Sequence, residues 1–144
     1  MTLNVEVITP EKVVWKDEAD FVAAPAFDGE IGILPGHTRL LTKLGLGELR
    51  LKKGDDIQMI AVTGGFLEVH DGSQVSVFAE TADMAGEIDL ERERQNAERA
   101  RTVLKSKGQY SDIELEQAEA AIKAALLKLK VGQAKTRKKP PRQA

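Results

Sequence analysis

Between Leu3 and about Ala82, apolar and polar positions alternate in short runs, among them LNVEVIT, KVVWK, ELRLKK, IQMIAVT and QVSVFAE, with β-branched residues prominent. A period of two sends successive side chains to opposite faces, one into a core and one into water, so these runs predict strands. Turn chemistry separates them at Asp28-Gly29, Gly45, Gly47, Lys53-Gly54-Asp55, Gly64-Gly65 and Asp71-Gly72, the last being the strongest hairpin signal. About nine or ten strands with no helix between them predict an antiparallel sandwich or flattened barrel.

After Gly86 the period changes. IDLERERQNAERARTVLKSKG predicts a helix of about five turns, with Asp89 as N-cap, Glu91 and Glu93 at its positive start, Lys105 and Lys107 near its end, and Gly108 to terminate it. In SDIELEQAEAAIKAALLKLK, Ser111 and Glu114 form a capping box ahead of an apolar stripe at Leu115, Ala118, Ile122, Ala125 and Leu129. The short link through Gly108, Gln109 and Tyr110 makes the two helices antiparallel neighbours. Ala97 and Ala100 then face Ala118, Ala121 and Ala125, close together but with little area to bury. The closing GQAKTRKKPPRQA is basic, contains Pro140 and Pro141, and predicts a disordered tail. The expected organisation is a β-sandwich over residues 1–86, an α-helical hairpin over 87–131 and a basic tail over 132–144.

Composition sharpens this picture. With 4 Phe, 1 Trp and 1 Tyr in 144 residues, the core must be aliphatic. The absence of cysteine excludes disulfides, thiol catalysis and cysteine zinc sites, and no metal site is expected. MTLNVEVITPEK lacks a basic flank followed by an apolar core, and no apolar run approaches the ~20 residues of a membrane span, so the chain reads as cytosolic. The net charge of -2 conceals a split. Residues 1–86 carry 7 Lys/Arg against 14 Asp/Glu, and residues 87–144 carry 14 against 9, which suggests modules with different partners.

The stretch GEIGILPGHTRLL at 29–41 has the glycines, basic residue and hydroxyl of a phosphate-binding loop, but not its context. No lysine precedes Thr38, Pro35 removes a backbone donor, and β-rich sequence follows instead of a capped helix. A catalytic His37 finds no nucleophile, because Ser73, Ser76, Ser106 and Ser111 lie outside any nucleophile-elbow context. His70 reads as a turn residue. The basic run Lys135, Arg137, Lys138, Lys139 and Arg142 has no aromatic interleaving, so nucleic acid is not an expected partner and a solubilising tail is the better reading.

Taken together, GEIGILPGHTRLLTKLGLGELRL, VTGGFLEVHDGSQVSVFAETA and the Ile88-Asp89 start of a charged helical hairpin closely resemble the epsilon subunit of F-type ATP synthases, bacterial or chloroplast type, over about Thr2 to Leu129. The resemblance implies a flattened antiparallel β-sandwich of ten strands followed by two helices, and a non-catalytic rotor subunit of the central stalk. Its loop would dock on the proteolipid ring, with Glu30 and His37 as contacts and Gly32, Pro35 and Gly36 shaping the loop. Another face of the sandwich would pack on the gamma subunit. The helices would extend to the catalytic alpha and beta subunits and inhibit ATP hydrolysis, with Lys123, Lys128 and Lys130 meeting acidic surfaces there. The implied location is peripheral, on the cytoplasmic face of the cell inner membrane or the stromal face of a thylakoid.

Some members of that family bind ATP through I/L-D-x-x-R-A. Here Ile88, Asp89 and Arg92 match, Glu93 replaces the alanine, Arg99 matches a further arginine, and Ile122 and Leu126 stand where ATP-binding members carry arginines. Asp89, Arg92 and Arg99 therefore have two readings, nucleotide contacts or an N-cap with a solvated helix face, and the second carries more weight. No cofactor is expected beyond weak ATP binding at most. A free-standing module for carbohydrate or peptide, and an independent hydrolase, are the competing functions from other classes.

Overall fold

A computed structural model of the chain describes residues 1–136, and it divides into two compact units, one ending at Met84 and the other beginning at Ala85. The first contains strands β1 Leu3–Ile8, β2 Val13–Ala19, β3 Phe21–Ala26, β4 Gly29–Ile33, β5 Leu40–Lys53, β6 Asp56–His70, β7 Gln74–Ala79 and β8 Ala82–Met84. Alternation in the sequence becomes alternation in burial: Leu3, Val5 and Val7 of β1 are buried while Asn4 is exposed. The sheet order is β2-β1-β7-β6-β5-β3-β4, with β8 also paired to β6.

The sandwich arises because β5 and β6 are each shared between two layers. The first part of β5 and the last part of β6 pair with each other and lead through β7 to β1 and β2. The remaining halves pair with each other and lead to β3, β4 and β8. The layers meet at a corner where Leu44 opposes Gly65 and Leu46 opposes Thr63. Gly65 has φ +115°, and a Cβ there would collide with the Phe78 carbonyl oxygen, so only glycine lets the two backbones approach.

This corner explains the strand count. The glycine pairs that suggested breaks are bends inside unbroken strands of 14 and 15 residues, so eight strands do the work of the expected ten. One pairing also departs from the antiparallel pattern: β1 runs parallel to β7, Asn4 beside Gln74 through Ile8 beside Phe78. Leu3, Val7, Val22, Ile33, Leu49, Ile60, Val62, Leu67 and Val77 are all 0% exposed in an aliphatic core.

The second unit opens with a 3-10 turn, Ala85–Glu87, followed by α1 (Leu90–Lys105), a second 3-10 turn (Lys107–Gln109) and α2 (Asp112–Thr136). Asp89 is the N-cap of α1, its carboxylate accepting from the Arg92 N–H at 3.1 Å. Ser111 and Glu114 form the reciprocal box at α2: the Glu114 N–H donates to Ser111 Oγ at 3.2 Å and the Ser111 N–H to Glu114 Oε1 at 3.3 Å. Ala97, Ala100, Ala118 and Ala125 are buried between the helices, whereas Ala121 is exposed rather than part of the packed seam.

Two helix ends differ from expectation. α1 stops at Lys105 because the Ser106 N–H turns back to the Val103 carbonyl, which leaves Gly108 inside the 3-10 turn instead of capping the helix. α2 continues to Thr136, past the expected boundary at Val131. The reason is packing: Val131 is 0% exposed, and Gly132 lies so close to Leu90 and Ile88 that a Cβ would come within 2.8 Å of Leu90 Cδ2. The rest of the expected basic tail, residues 137–144, lies outside the described residues.

Candidate functional site

The sequence LPGH folds as sequence chemistry dictates. The His37 N–H donates to the Leu34 carbonyl at 3.1 Å, Pro35 supplies the fixed φ of the second turn position, and Gly36 takes the left-handed third position at φ +88°. These are the requirements of a type II turn. The Gly36 N–H donates to the Gly72 carbonyl at 2.8 Å, so its amide is committed to another loop. No helix follows, since the chain enters β5 at Leu40. The geometry of a phosphate cradle is absent from this loop.

His37 Nδ1 lies 2.7 Å from the Thr38 carbonyl oxygen. A carbonyl only accepts, so Nδ1 is the donor in this contact. The neighbouring Leu34 is 60% exposed and Leu41 67% exposed.

Glu30 has different surroundings. It sits on β4 opposite Pro25, and its Oε1 accepts from Arg50 Nη2 at 2.6 Å. Gly32 has a packing role of its own: the Phe21 ring lies over it, 3.0 Å from where a Cβ would be. The five residues singled out by the loop motif thus divide between a strand bearing Glu30 and Gly32 and a turn bearing Pro35, Gly36 and His37. Sequence reasoning missed Arg50, Arg39 and the part played by Asp71-Gly72, because ion pairs and backbone contacts between distant segments leave no periodic trace.

A second surface lies on the outer side of the layer formed by β2, β1, β7 and β6. Val13 pairs with Ile8, Ile8 with Phe78, and Phe78 with Phe66, giving one apolar row across four strands. Val13 is 54% exposed, Phe66 52% and Phe78 46%. The signal was present in the sequence, since Phe66 and Phe78 stand one step out of phase with the buried Leu67 and Val77. Next to this row Ser76, 5% exposed, donates to Glu6 Oε1 at 3.3 Å and is reached by His70 Nε2 at 3.2 Å.

The helical unit carries a groove of about 520 Å³ between α1 and α2, floored by Ala100, Ala118, Ala121 and Ala125. Arg99 and Lys128 line it, and so do the carboxylates Glu93 and Glu114. Asp89 is committed to capping and Arg92 is exposed, while Glu93 is 8% exposed and accepts from Asn96 Nδ2 at 3.2 Å. The groove thus sets the carboxylates Glu93 and Glu114 among the cations Arg99 and Lys128. Lys123 and Lys130 are exposed on α2, and Lys128 is half-buried at the groove.

Comparison with known proteins gives the family. Residues 2–85 match the family described as ATP synthase, Delta/Epsilon chain, beta-sandwich domain. The ATP synthase epsilon chain of Desulforamulus reducens is 44% identical over 132 residues, covering 92% of this chain and 98% of the relative. That of Halalkalibacterium halodurans is 40% identical over 130 residues, covering 90% and 96%. In fold, the chain is similar to a chain of the Euglena gracilis mitochondrial ATP synthase, with TM-score 0.76 and 20% identity over 95% of this chain and 82% of the other.

Proposed function

The chain belongs to the ATP synthase epsilon-chain family, bacterial type, as a non-catalytic subunit of that complex, and we propose that it links the gamma subunit to the proteolipid ring and restrains ATP hydrolysis through its helices. The observation that carries this reading is the exposed LPGH turn, stiffened by Pro35 and tied through Gly36 to Gly72. A loop that must transmit force to a partner needs exposure together with restricted backbone freedom, and this turn has both.

The apolar row Val13, Ile8, Phe78 and Phe66 supplies the face for gamma. An exposed aromatic cluster on a stalk subunit suits a lasting protein contact, since aromatic anchors dominate such interfaces. Restraint of hydrolysis is assigned to α1 and α2. Helices held by alanine contacts and local caps keep their own structure while changing what they pack against, and a small energy difference between two docked forms is what a two-state element requires. Lys123, Lys128 and Lys130 then meet acidic surfaces of the alpha and beta subunits, in contacts that salt weakens. The groove residues favour weak ATP binding or none, and a submillimolar affinity in calorimetric titration would contradict this. The location that follows is the cytoplasmic face of the inner membrane, reached through the complex.

The test uses assembled complexes with two altered chains. Glu30→Lys with His37→Ala should lower the yield of ATP synthesis per proton translocated while the complex stays intact. Removal of the residues after Gly86 should raise ATP hydrolysis without preventing assembly. Unchanged coupling in the first excludes the loop from ring contact, and unchanged hydrolysis in the second makes the helices a structural appendage.

A further inference from the structure

We infer that the ring-docking surface is composite, built from the LPGH turn together with the β6–β7 hairpin at Asp71, Gly72 and Ser73. This rests on the docking reading above and extends it to residues that the loop motif does not contain. A stable protein interface engages roughly 800 Å² on each partner, which is more than one exposed turn can offer, so a partner seated on His37 must also cover whatever stands beside it. The hairpin stands there. A Cβ on Gly72 would lie 3.4 Å from Gly36 Cα, and the Gly36 N–H reaches the Gly72 carbonyl at 2.8 Å.

The hairpin is fastened on both sides. Asn4 donates its N–H to the Ser73 carbonyl at 2.7 Å, which ties the hairpin to the start of β1. Arg39, directly after the LPGH-Thr stretch, bonds Asp71 at 3.1 Å, with side chains 80% and 70% exposed. An ion pair so open to water adds little to folding stability, and its use lies in holding the two loops in one register. Asp71 adopts φ 56° and Gly72 φ 70°, left-handed conformations that bring the hairpin round in few residues and restrict its motion. The result is a double loop that presents Arg39, Asp71 and His37 beside the exposed Leu34, a mixed surface for the loops of a ring to cover.

The chain contains no cysteine, so each variant carries one thiol in this chain, and its products are followed on this chain alone. His37→Cys, Asp71→Cys and Ser73→Cys chains are assembled into the complex and treated with a maleimide carrying a photoreactive group, and the cross-linked subunit is identified by mass. Pro10→Cys is the control, because it follows β1 at its far end, about 17 Å along a six-residue strand from Leu3. The expected result is attachment of the ring subunit at positions 37, 71 and 73 and not at 10, with maleimide reaction at 71 and 73 slowed severalfold on assembly. Attachment at 37 with neither attachment nor slowing at 71 and 73 overturns the composite surface and leaves the docking turn standing. Failure at 37 as well as at 71 and 73 removes the docking reading itself.

Discussion

The sandwich and the helical hairpin solve the same problem with different materials. The sandwich buries Leu, Ile and Val from strands far apart in sequence, with Leu3, Ile33, Leu49 and Val77 in one cluster. At about 1.5–3 kcal/mol for each such side chain fully buried, long-range packing dominates its stability. The hairpin buries Ala97, Ala100, Ala118 and Ala125, where each methyl contributes only about 0.8 kcal/mol. Its order therefore depends on local devices: the Asp89 cap, the Ser111–Glu114 box and the intrinsic preference of alanine for helix. A module stabilised by its own distant contacts makes a rigid platform, whereas one stabilised locally stays helical while its surroundings change.

The sharpest test of that contrast is Gly65→Ala. It places a Cβ against the Phe78 carbonyl at a φ that L-residues avoid, for a cost of about 3 kcal/mol or more. The expected outcome is a lost or greatly lowered sheet transition in thermal unfolding with the helical far-UV signal retained. Loss of both signals together would show that the two modules are not independent.

The reverse experiment is Ala100→Leu, which overfills a seam shaped for methyl groups and should destabilise the hairpin by about 1–3 kcal/mol. Hydrogen exchange should quicken in α1 and α2 and stay unchanged in β1, β6 and β7. A smaller change, Ser111→Ala, removes the cap of α2 and should cost about 1 kcal/mol, read as faster exchange confined to the first turn of that helix. Equally faster exchange along all of α2 would mean that the cap stabilises the whole helix as one unit, and unchanged exchange that packing rather than capping holds it.

The smallest effect concerns acid stability of the sandwich. The exposed Asp17 carboxyl is held below the usual carboxylate range, first by the Glu18 N–H at 2.7 Å and then by Lys53 at 3.1 Å. A carboxyl whose folded pKa is lowered contributes stability above its unfolded value and loses it as pH falls through the folded one, so the window lies below about pH 4. Asp17→Asn should lower stability slightly at neutral pH and leave it nearly unchanged below the folded pKa, which flattens the acid limb of the stability curve. A change of similar size at pH 7 and pH 3 would rule out this linkage.

How much was legible depends on the range of the contact. The helix N-caps were legible because donor and acceptor stand three residues apart, as at Asp89–Arg92 and Ser111–Glu114, whereas the end of α1 was not. The LPGH turn was not among the expected turns, although the backbone preferences of Pro35 and Gly36 that form it are intrinsic. Its neighbour across space, Gly72, was read only as a hairpin glycine, since nothing in the chemistry of a glycine says which carbonyl its loop will offer to which amide. Glu30 is named by the loop motif as a contact residue, and its Arg50 partner, twenty residues on, is invisible there for the same reason.

By itself the sequence determined the two modules, the faces of the strands, the starts of both helices and the turn chemistry, because these follow from periodicity and from residues within a few positions of each other. Tertiary structure alone decided that β5 and β6 would pass unbroken through the corner, that β1 would lie parallel to β7, and that α2 would continue to Thr136. It also decided that the turn at Gly36 would share a hydrogen bond with Gly72. Each of these outcomes is a choice among partners of similar local chemistry, and only the packing of the whole core, which no short window of residues contains, selects between them.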